Sequence, residues 1–237
     1  MNLALIIAGG VGRRMHQDIP KQFLTIDNRP VIIHTLEAFQ KHPSIDVIAV
    51  ACVAGWEKVL QAYAKQFNIT KLKFIVPGGE NGQDSIRNGL FELEKHYKKG
   101  DIVLIHDAIR PLVSEDIISD CIVTAQKFGS AIATIPCREA MMETTDGQKS
   151  VGSYPREQLL RAQTPQGFYL GKICDMHRKA LEKGITNSVA SCTMFAELGE
   201  KVHFSLGSEK NIKLTTTDDL EIFKALLSVK KSQWLKH

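Results

Sequence analysis

A glycine-rich segment with basic side chains follows the first apolar run of the sequence. Glycines let a ligand approach the backbone closely, and successive exposed N–H groups in such a loop bind anions. Arginine side chains add paired donors for phosphate oxygens, and a lysine directly after Pro20 is near enough along the chain to reach the same anion. The candidate anion-binding residues are Ala8, Gly9, Gly10, Val11, Gly12, Arg13, Arg14 and Lys21.

This loop admits several interpretations. A P-loop is disfavoured because the Gly-Lys-Ser/Thr ending is missing, and Arg14 is followed by Met15. A dinucleotide-binding motif lacks its third glycine, and no acidic residue follows the second apolar run, which ends in Ala51-Cys52-Val53-Ala54. A nucleotidyltransferase loop, in which arginine and lysine hold the triphosphate of the incoming nucleotide, fits better. A tight turn with solvated arginines stays open as the alternative.

A carboxylate stands at the end of another apolar run, where Ile102–Ile105 leads into His106 and Asp107. Ligands of parallel sheets bind beyond the carboxyl ends of the strands. Mg²⁺ binds through one or two carboxylates together with phosphate oxygens, so Asp107 is the candidate metal ligand beside a triphosphate. The alternative is a surface ion pair between Asp107 and Arg110, or a helix cap.

A sheet would bring these residues together at one edge. The sequence supports such a sheet, because short apolar runs alternate with amphipathic stretches along the chain. The pattern predicts buried parallel strands, which are Leu3–Ala8, Val47–Cys52, Lys73–Val76, Ile102–Ile105 and Ala131–Pro136. It predicts helices between them, which are Val31–Lys41, Trp56–Phe67, Ser85–Tyr97 and Glu115–Phe128. This alternation is typical of an α/β fold with a mostly parallel sheet and helices on both faces.

The alternation breaks after Pro136. The polar, turn-rich stretch Met141–Ser153 predicts a protruding hairpin, and we expect one domain over residues 1–237 with an arm at about 138–160. The alternation then resumes with helices and one further strand. These are helices at Leu170–Lys183 and Ala190–Leu198, a strand at Lys201–Ser205 and a helix at Thr217–Val229.

The composition excludes several classes of protein. Of 237 residues, 43% are hydrophobic and 24% are charged, which is typical of a globular protein and excludes a disordered chain. The net charge of +4 argues against a general nucleic-acid binder but allows a local phosphate site. No run is long enough for a membrane helix, and the start does not have the pattern of a signal peptide. Because the five cysteines are scattered, we expect reduced thiols in a cytoplasmic protein.

Six segments together resemble the alditol-phosphate cytidylyltransferases. This family includes the 2-C-methyl-D-erythritol 4-phosphate enzymes of isoprenoid synthesis and the ribitol-5-phosphate enzymes of teichoic-acid and capsule synthesis. The segments occur in family order from end to end, and they are Ala8–Met15, Pro20–Phe23, Gly78-Gly79 with Ser85–Gly89, His106–Pro111, Gln163–Phe168 and Asn211–Thr215.

The resemblance implies a reaction in which CTP and an alditol phosphate give a CDP-alditol and pyrophosphate. It implies a Rossmann-like nucleotidyltransferase fold, a magnesium ion on Asp107, and catalytic roles for Arg14, Lys21 and Lys213. It implies nucleotide contacts from the glycine-rich loop and from Gly79, Gly82, Ser85, Asp107 and Ala108. It implies substrate contacts from Arg110, Thr164 and Arg156. Arg156 would act across a homodimer whose arms complete the active sites.

Some positions depart from the family pattern, mostly on the acceptor side. The Asp-Thr after the fifth strand is Glu139-Ala140 here, an arginine of the glycine-pair loop is replaced by Gly82, and a later Thr-Asp aligns with Val189-Ala190. The acceptor therefore stays open between 2-C-methyl-D-erythritol 4-phosphate and D-ribitol 5-phosphate. Two alternatives also remain: a related nucleotidyltransferase for another sugar or polyol phosphate, and an inactive CTP-binding paralogue.

Overall fold

The computed structural model describes residues 1–10 and 19–228. Its strands are β1 (Asn2–Ala8), β2 (Thr25–Ile26), β3 (Arg29–Pro30), β4 (Val47–Cys52), β5 (Leu72–Pro77), β6 (Ile102–Asp107), β7 (Ser130–Pro136), β8 (Met141–Glu143), β9 (Gly152–Tyr154), β10 (Leu160–Tyr169) and β11 (Phe204–Leu206). Its α-helices are α1 (Val31–Lys41), α2 (Glu57–Gln66), α3 (Gly82–Glu94), α4 (Glu115–Phe128), α5 (Leu170–Glu182), α6 (Ser191–Glu197) and α7 (Thr217–Ser228).

Seven of these strands form one sheet in the order β11-β7-β10-β6-β1-β4-β5. Neighbouring strands are parallel except β10, which runs antiparallel to both β6 and β7. The carboxyl ends of β1, β4 and β6 therefore lie side by side, with Ile7 of β1 opposite Asp107 of β6. The predicted mostly parallel α/β sheet is confirmed.

Helices cover both faces of the sheet. Along β1, Ala4 and Ile6 face a core shared with α1, α2 and α4. Leu3 and Leu5 face the opposite core, shared with α3, α5 and α6. Side chains alternate between the two faces of a strand, so a strand that is buried on both sides is apolar throughout, as the sequence pattern of β1 indicated.

Local sequence explains where the helices begin and end. Ser114 accepts a hydrogen bond from the Ile117 N–H and begins α4, and Gly129 ends it in the left-handed conformation with φ 80°. Asn81 caps α3 by accepting from the Asp84 N–H, so this helix begins at Gly82 and not at the predicted Ser85. No helix among the described residues is long and apolar enough to cross a membrane.

Three predictions of secondary structure need correction. The ten-residue strand β10 was not predicted, although it lies at the centre of the sheet. Strand β5 is half-exposed at the sheet edge and is not buried on both faces. The strand predicted at Lys201–Ser205 is Phe204–Leu206. The stretch predicted to form a hairpin does so, with Met141 of β8 opposite Tyr154 of β9.

Candidate active site

A cavity of about 290 Å³ lies at the carboxyl ends of β1 and β6. It collects most of the residues that the sequence assigned to the nucleotide, and we call it the nucleotide cleft. The predicted residues that line it are Ala8, Gly9, Gly10, Lys21, Gly79, Gly82, Ser85, Asp107, Ala108 and Lys213. Val11, Gly12, Arg13 and Arg14 lie outside the described residues, so their predicted roles stay predictions.

Two glycine segments meet at the floor of the nucleotide cleft. A Cβ atom on Gly9 would stand 2.6 Å from the Ser85 Oγ, and one on Gly78 would stand 3.0 Å from the Gly9 Cα. The Ser85 hydroxyl accepts from the Gly79 N–H at 2.9 Å and donates to the Asn81 carbonyl at 2.9 Å. Only glycine allows these backbones to lie so close, and Ser85 fixes the loop that forms one wall of the cleft.

The Gln22 side chain fixes the first residues of the glycine-rich segment by hydrogen bonds to their backbone. Its side chain is buried, and its Nε2 donates to the Ala8 carbonyl at 2.7 Å and to the Gly10 carbonyl at 3.0 Å. These two bonds bracket Gly9 and fix the exit from β1. Next to Gln22, Phe23 stacks on Trp56 with ring centroids 4.6 Å apart, so the short turn that carries Lys21 is anchored as well. Nothing in the type or spacing of Gln22 indicated this role.

Asp107 forms the charged centre of the cleft together with Arg110 and Lys213. Arg110 Nε lies 3.0 Å and Lys213 Nζ 3.1 Å from the same atom, Asp107 Oδ2. Burial alone would raise the pKa of Asp107, but the positive charges of Lys213 and Arg110 outweigh it and hold the pKa below its ordinary value. The carboxylate is therefore ionised at neutral pH, and two cations are already gathered at the strand end.

A second cavity of about 400 Å³ adjoins the nucleotide cleft and shares Gly82, Asp107 and Lys213 with it. The cavity is lined by Arg110 and Thr164, for which substrate contacts were predicted, and by Val189 and Ala190. We call it the acceptor cavity. Two ligands that occupied the two cavities would meet at Asp107 and Lys213.

The register of β10 with β7 shifts between Ala162 and Gln166, so the segment that carries Thr164 bulges out of the ladder. The Thr164 Oγ1 lies 3.1 Å from the Asp107 N and accepts its hydrogen bond. Thr164 therefore contacts the charged centre by a hydrogen bond to the Asp107 backbone, a contact that its sequence position did not indicate.

Arg156 is the predicted substrate residue that the fold does not bring to the site. It is exposed in the segment after β9, where its Nη1 donates to the Arg138 carbonyl at 3.2 Å and its Nε pairs with Glu157. A larger groove of about 590 Å³ lies between α2 and β5, but none of the predicted site residues lines it. We therefore place the candidate site at the charged centre and not at this larger groove.

Comparisons with known proteins find relatives along the whole length of the described fold. The family model described as 2-C-methyl-D-erythritol 4-phosphate cytidylyltransferase, IspD, matches residues 2–229. A ribitol-5-phosphate cytidylyltransferase of Lacticaseibacillus paracasei is 42% identical, with 98% of this chain and 100% of that protein covered.

A 2-C-methyl-D-erythritol 4-phosphate cytidylyltransferase of Syntrophotalea carbinolica is 39% identical, with 94% of each chain covered. The crystal structure of the 2-C-methyl-D-erythritol 4-phosphate cytidylyltransferase of Francisella tularensis superposes with a TM-score of 0.81 at 28% identity, with 95% of this chain and 99% of that one covered.

Proposed function

We propose that this chain, which belongs to the 2-C-methyl-D-erythritol 4-phosphate cytidylyltransferase family, uses D-ribitol 5-phosphate as its acceptor. It is a CTP-dependent cytidylyltransferase that transfers CMP to an alditol phosphate and releases pyrophosphate. The observation that carries the acceptor is the end-to-end identity with the ribitol-5-phosphate enzyme. In the sequence, Pro20–Phe23 and Trp56 favour the ribitol branch, whereas Leu160–Pro165 favours the methylerythritol branch. In the structure, Phe23 stacks on Trp56.

The proposed mechanism relies on charge stabilisation and alignment. An oxygen of the acceptor phosphate attacks the α-phosphorus of CTP in line, and the bond to pyrophosphate breaks. The cytidine lies against the glycine segments of the nucleotide cleft, and Lys21 stabilises the charge that grows on the triphosphate. Lys213 lies where the two cavities meet and Arg110 lines the acceptor cavity, so together they orient the acceptor phosphate toward the α-phosphorus.

The charged centre fits a divalent cation. Mg²⁺ binds through one or two carboxylates plus substrate phosphates, and Asp107 provides a single ionised carboxylate at the meeting point of both cavities. Arg110 and Lys213 both contact Oδ2, which leaves Oδ1 outside these two ion pairs. Asp107 would hold the ion, which would neutralise charge on the triphosphate.

Steady-state assays of pyrophosphate release with CTP test the acceptor. We expect kcat/KM for D-ribitol 5-phosphate to exceed that for 2-C-methyl-D-erythritol 4-phosphate by about 100-fold or more, the discrimination that a few unpaired buried polar contacts can impose. The opposite preference would refute the proposed acceptor while leaving the cytidylyltransferase activity intact. Turnover of another polyol phosphate alone would favour the related-transferase alternative.

We also propose a homodimer whose arms, at about 138–160, complete the active sites. The arm exposes several large apolar side chains, which is unusual for a surface that stays in water, and they are Met141, Met142, Val151, Tyr154 and Leu160. Arg156 lies on the same segment and is also exposed, so it is available to a neighbouring subunit.

Complementation between two inactive variants tests the shared site. Lys21→Ala removes a charge from the nucleotide cleft and Arg156→Ala removes one from the arm. If each site combines Lys21 of one subunit with Arg156 of the other, dimers reassembled from an equal mixture regain about one quarter of the wild-type sites, because a two-fold dimer of unlike variants has one intact site. No recovery in verified mixed dimers would refute the shared site.

A further inference from the structure

Buried polar side chains lie directly behind the charged centre. His106 and Asn211 are both fully buried, and Gln163 is nearly so. Burying such groups is costly unless they are hydrogen-bonded. Two of these residues, His106 and Asn211, bond Thr164 of β10. The third, Gln163, accepts from the Asn211 Nδ2 at 3.3 Å through its Oε1.

The direction of each hydrogen bond around His106 follows from the donors available. Its Nε2 lies 3.1 Å from the Arg110 carbonyl, which only accepts, so Nε2 carries the hydrogen. With its hydrogen on Nε2, the imidazole ring offers Nδ1 as an acceptor. Thr164 Oγ1 lies 3.1 Å from Nδ1 and already accepts from the Asp107 N–H. The Thr164 hydroxyl therefore donates its single hydrogen to His106.

A second chain of bonds reaches the same threonine through Asn211. The Asn211 Nδ2 donates to the Thr164 carbonyl at 2.8 Å, and the backbone carbonyl of Asn211 accepts from Arg110 Nη1 at 2.7 Å. Lys213 follows two residues later, and the Leu214 N–H donates to the Ile109 carbonyl at 2.9 Å. Thr164 thus connects the backbone of Asp107 with the segment that carries Lys213.

We propose that His106 and Asn211 are positioning residues, which act through Thr164 to hold Asp107, Arg110 and Lys213 in the arrangement needed for transfer. Thr164 is then not a phosphate ligand: its hydrogen is committed to His106, and a phosphate oxygen offers only acceptors. This inference rests on the proposed roles of the charged centre.

Isosteric variants of Thr164 test the proposal in steady state. Thr164→Val removes the hydroxyl at constant shape, and we expect kcat to fall about 10- to 100-fold, as a misplacement of the reacting groups would cause, with the KM for acceptor changed less than about 3-fold. Thr164→Ser keeps the hydroxyl and should restore kcat. A raised acceptor KM with unchanged kcat would identify a direct substrate contact and overturn the proposal.

A double-mutant cycle separates the two roles further. His106→Gln removes the acceptor that Thr164 needs, so combining it with Thr164→Val should lower kcat no further than the worse single variant, since both break one bond. Effects that multiply would contradict the shared bond. Ser119→Ala is the matched control, because Ser119 bonds the buried His42 at 2.9 Å at the opposite end of the sheet. It should lose stability without losing kcat.

Nitrogen NMR of the histidine rings provides a measurement that does not depend on turnover. We expect a neutral His106 with its hydrogen on Nε2 in the wild-type protein, assigned by the loss of its signals in His106→Gln. A hydrogen on Nδ1 would overturn the inference even if the enzyme is active. If D-ribitol 5-phosphate is not the acceptor, the kinetic assays use whichever alditol phosphate the enzyme turns over. A wrong acceptor and a wrong role for Thr164 are therefore distinguished.

Discussion

The close contact between Gly9 and Ser85 predicts that an added methyl group destabilises the protein at Gly9 but not at the neighbouring Gly10. A Cβ on Gly9 would meet the Ser85 Oγ at 2.6 Å, whereas ordinary van der Waals contact begins at 3.4 Å. The hydroxyl must therefore withdraw by about 0.8 Å, which strains its bonds to the Gly79 N–H and the Asn81 carbonyl. We expect Gly9→Ala to cost about 1–3 kcal/mol of unfolding free energy, the usual cost of an overpacked site.

The same geometry predicts a rescue. Without the Ser85 hydroxyl, the nearest neighbours of the new methyl group are the Ser85 Cβ at 3.4 Å and the Gly78 Cα at 3.5 Å, both ordinary contacts. Ser85→Ala alone should cost about 1–2 kcal/mol because it leaves the Gly79 N–H without its partner, while the Asn81 carbonyl keeps its bond from the Ser85 N–H. Adding Gly9→Ala to that background should cost almost nothing more.

Urea and thermal unfolding measure both effects. A loss of 1 kcal/mol lowers the Tm of a chain of this length by about 2–4 °C. Gly10→Ala is the control, because a Cβ there meets no atom of the described residues within 4 Å, and it should unfold like the wild type. Additive losses in the Gly9→Ala, Ser85→Ala double variant, or a Gly9→Ala protein as stable as wild type, would refute the reasoning.

Three further predictions concern the site and the core. Gln22→Glu replaces the donor between the Ala8 and Gly10 carbonyls with a carboxylate that cannot donate; kcat/KM for CTP should fall about 100-fold, while the remote Gln40→Glu leaves it unchanged. Asp107→Asn should lower kcat in the pyrophosphate assay at least about 100-fold, since it removes the charge that the two cations face, and excess Mg²⁺ should not restore it. Burial lowers the pKa of His177 from 6.5 to about 4. As pH falls from 6.5 toward 4, His177 is therefore protonated in the unfolded chain but stays neutral in the folded chain. Unfolding free energy is then lost over that window by roughly 2 kcal/mol at pH 5, and His177→Leu should lose less than wild type between pH 8 and pH 5 in urea titrations; equal losses would contradict the assignment.

The elements that the sequence predicted well carry their signals locally. Strand β4 and helix α4 have the predicted bounds, because β4 is buried throughout and α4 lies between the Ser114 cap and the left-handed Gly129. Strand β10 carries no such signal. Its first residues are exposed, its register breaks after Ala162, and its partners β6 and β7 are distant in sequence. Its pairing is decided by tertiary contacts that no local pattern records.

Some residues of the candidate site can likewise be recognised from the sequence, and others cannot. Glycines and charged residues after a strand indicate chemistry by their type, which is how Gly9, Lys21 and Asp107 were found. Gln22 and Asn211 are uncharged, and their value lies in burial and in the partners that they reach, Gln22 at the Ala8 carbonyl and Asn211 at Thr164. Such roles depend on which segments the fold brings together, so residue type and spacing do not reveal them.

The charged centre explains how a chain of net charge +4 presents a strongly basic site. Arg110 and Lys213 share one carboxylate oxygen, but they are held differently. Arg110 is 11% exposed and is fixed by Asp107 and by the Asn211 carbonyl, so moving it would break two buried contacts. Lys213 is 43% exposed on a flexible stem, and an exposed ion pair is weak. A phosphate that enters the cleft can therefore draw Lys213 from Asp107 at little cost, while Arg110 keeps the carboxylate in place. We therefore expect Lys213 to follow the substrate phosphate, while Arg110 contacts that phosphate from a fixed position.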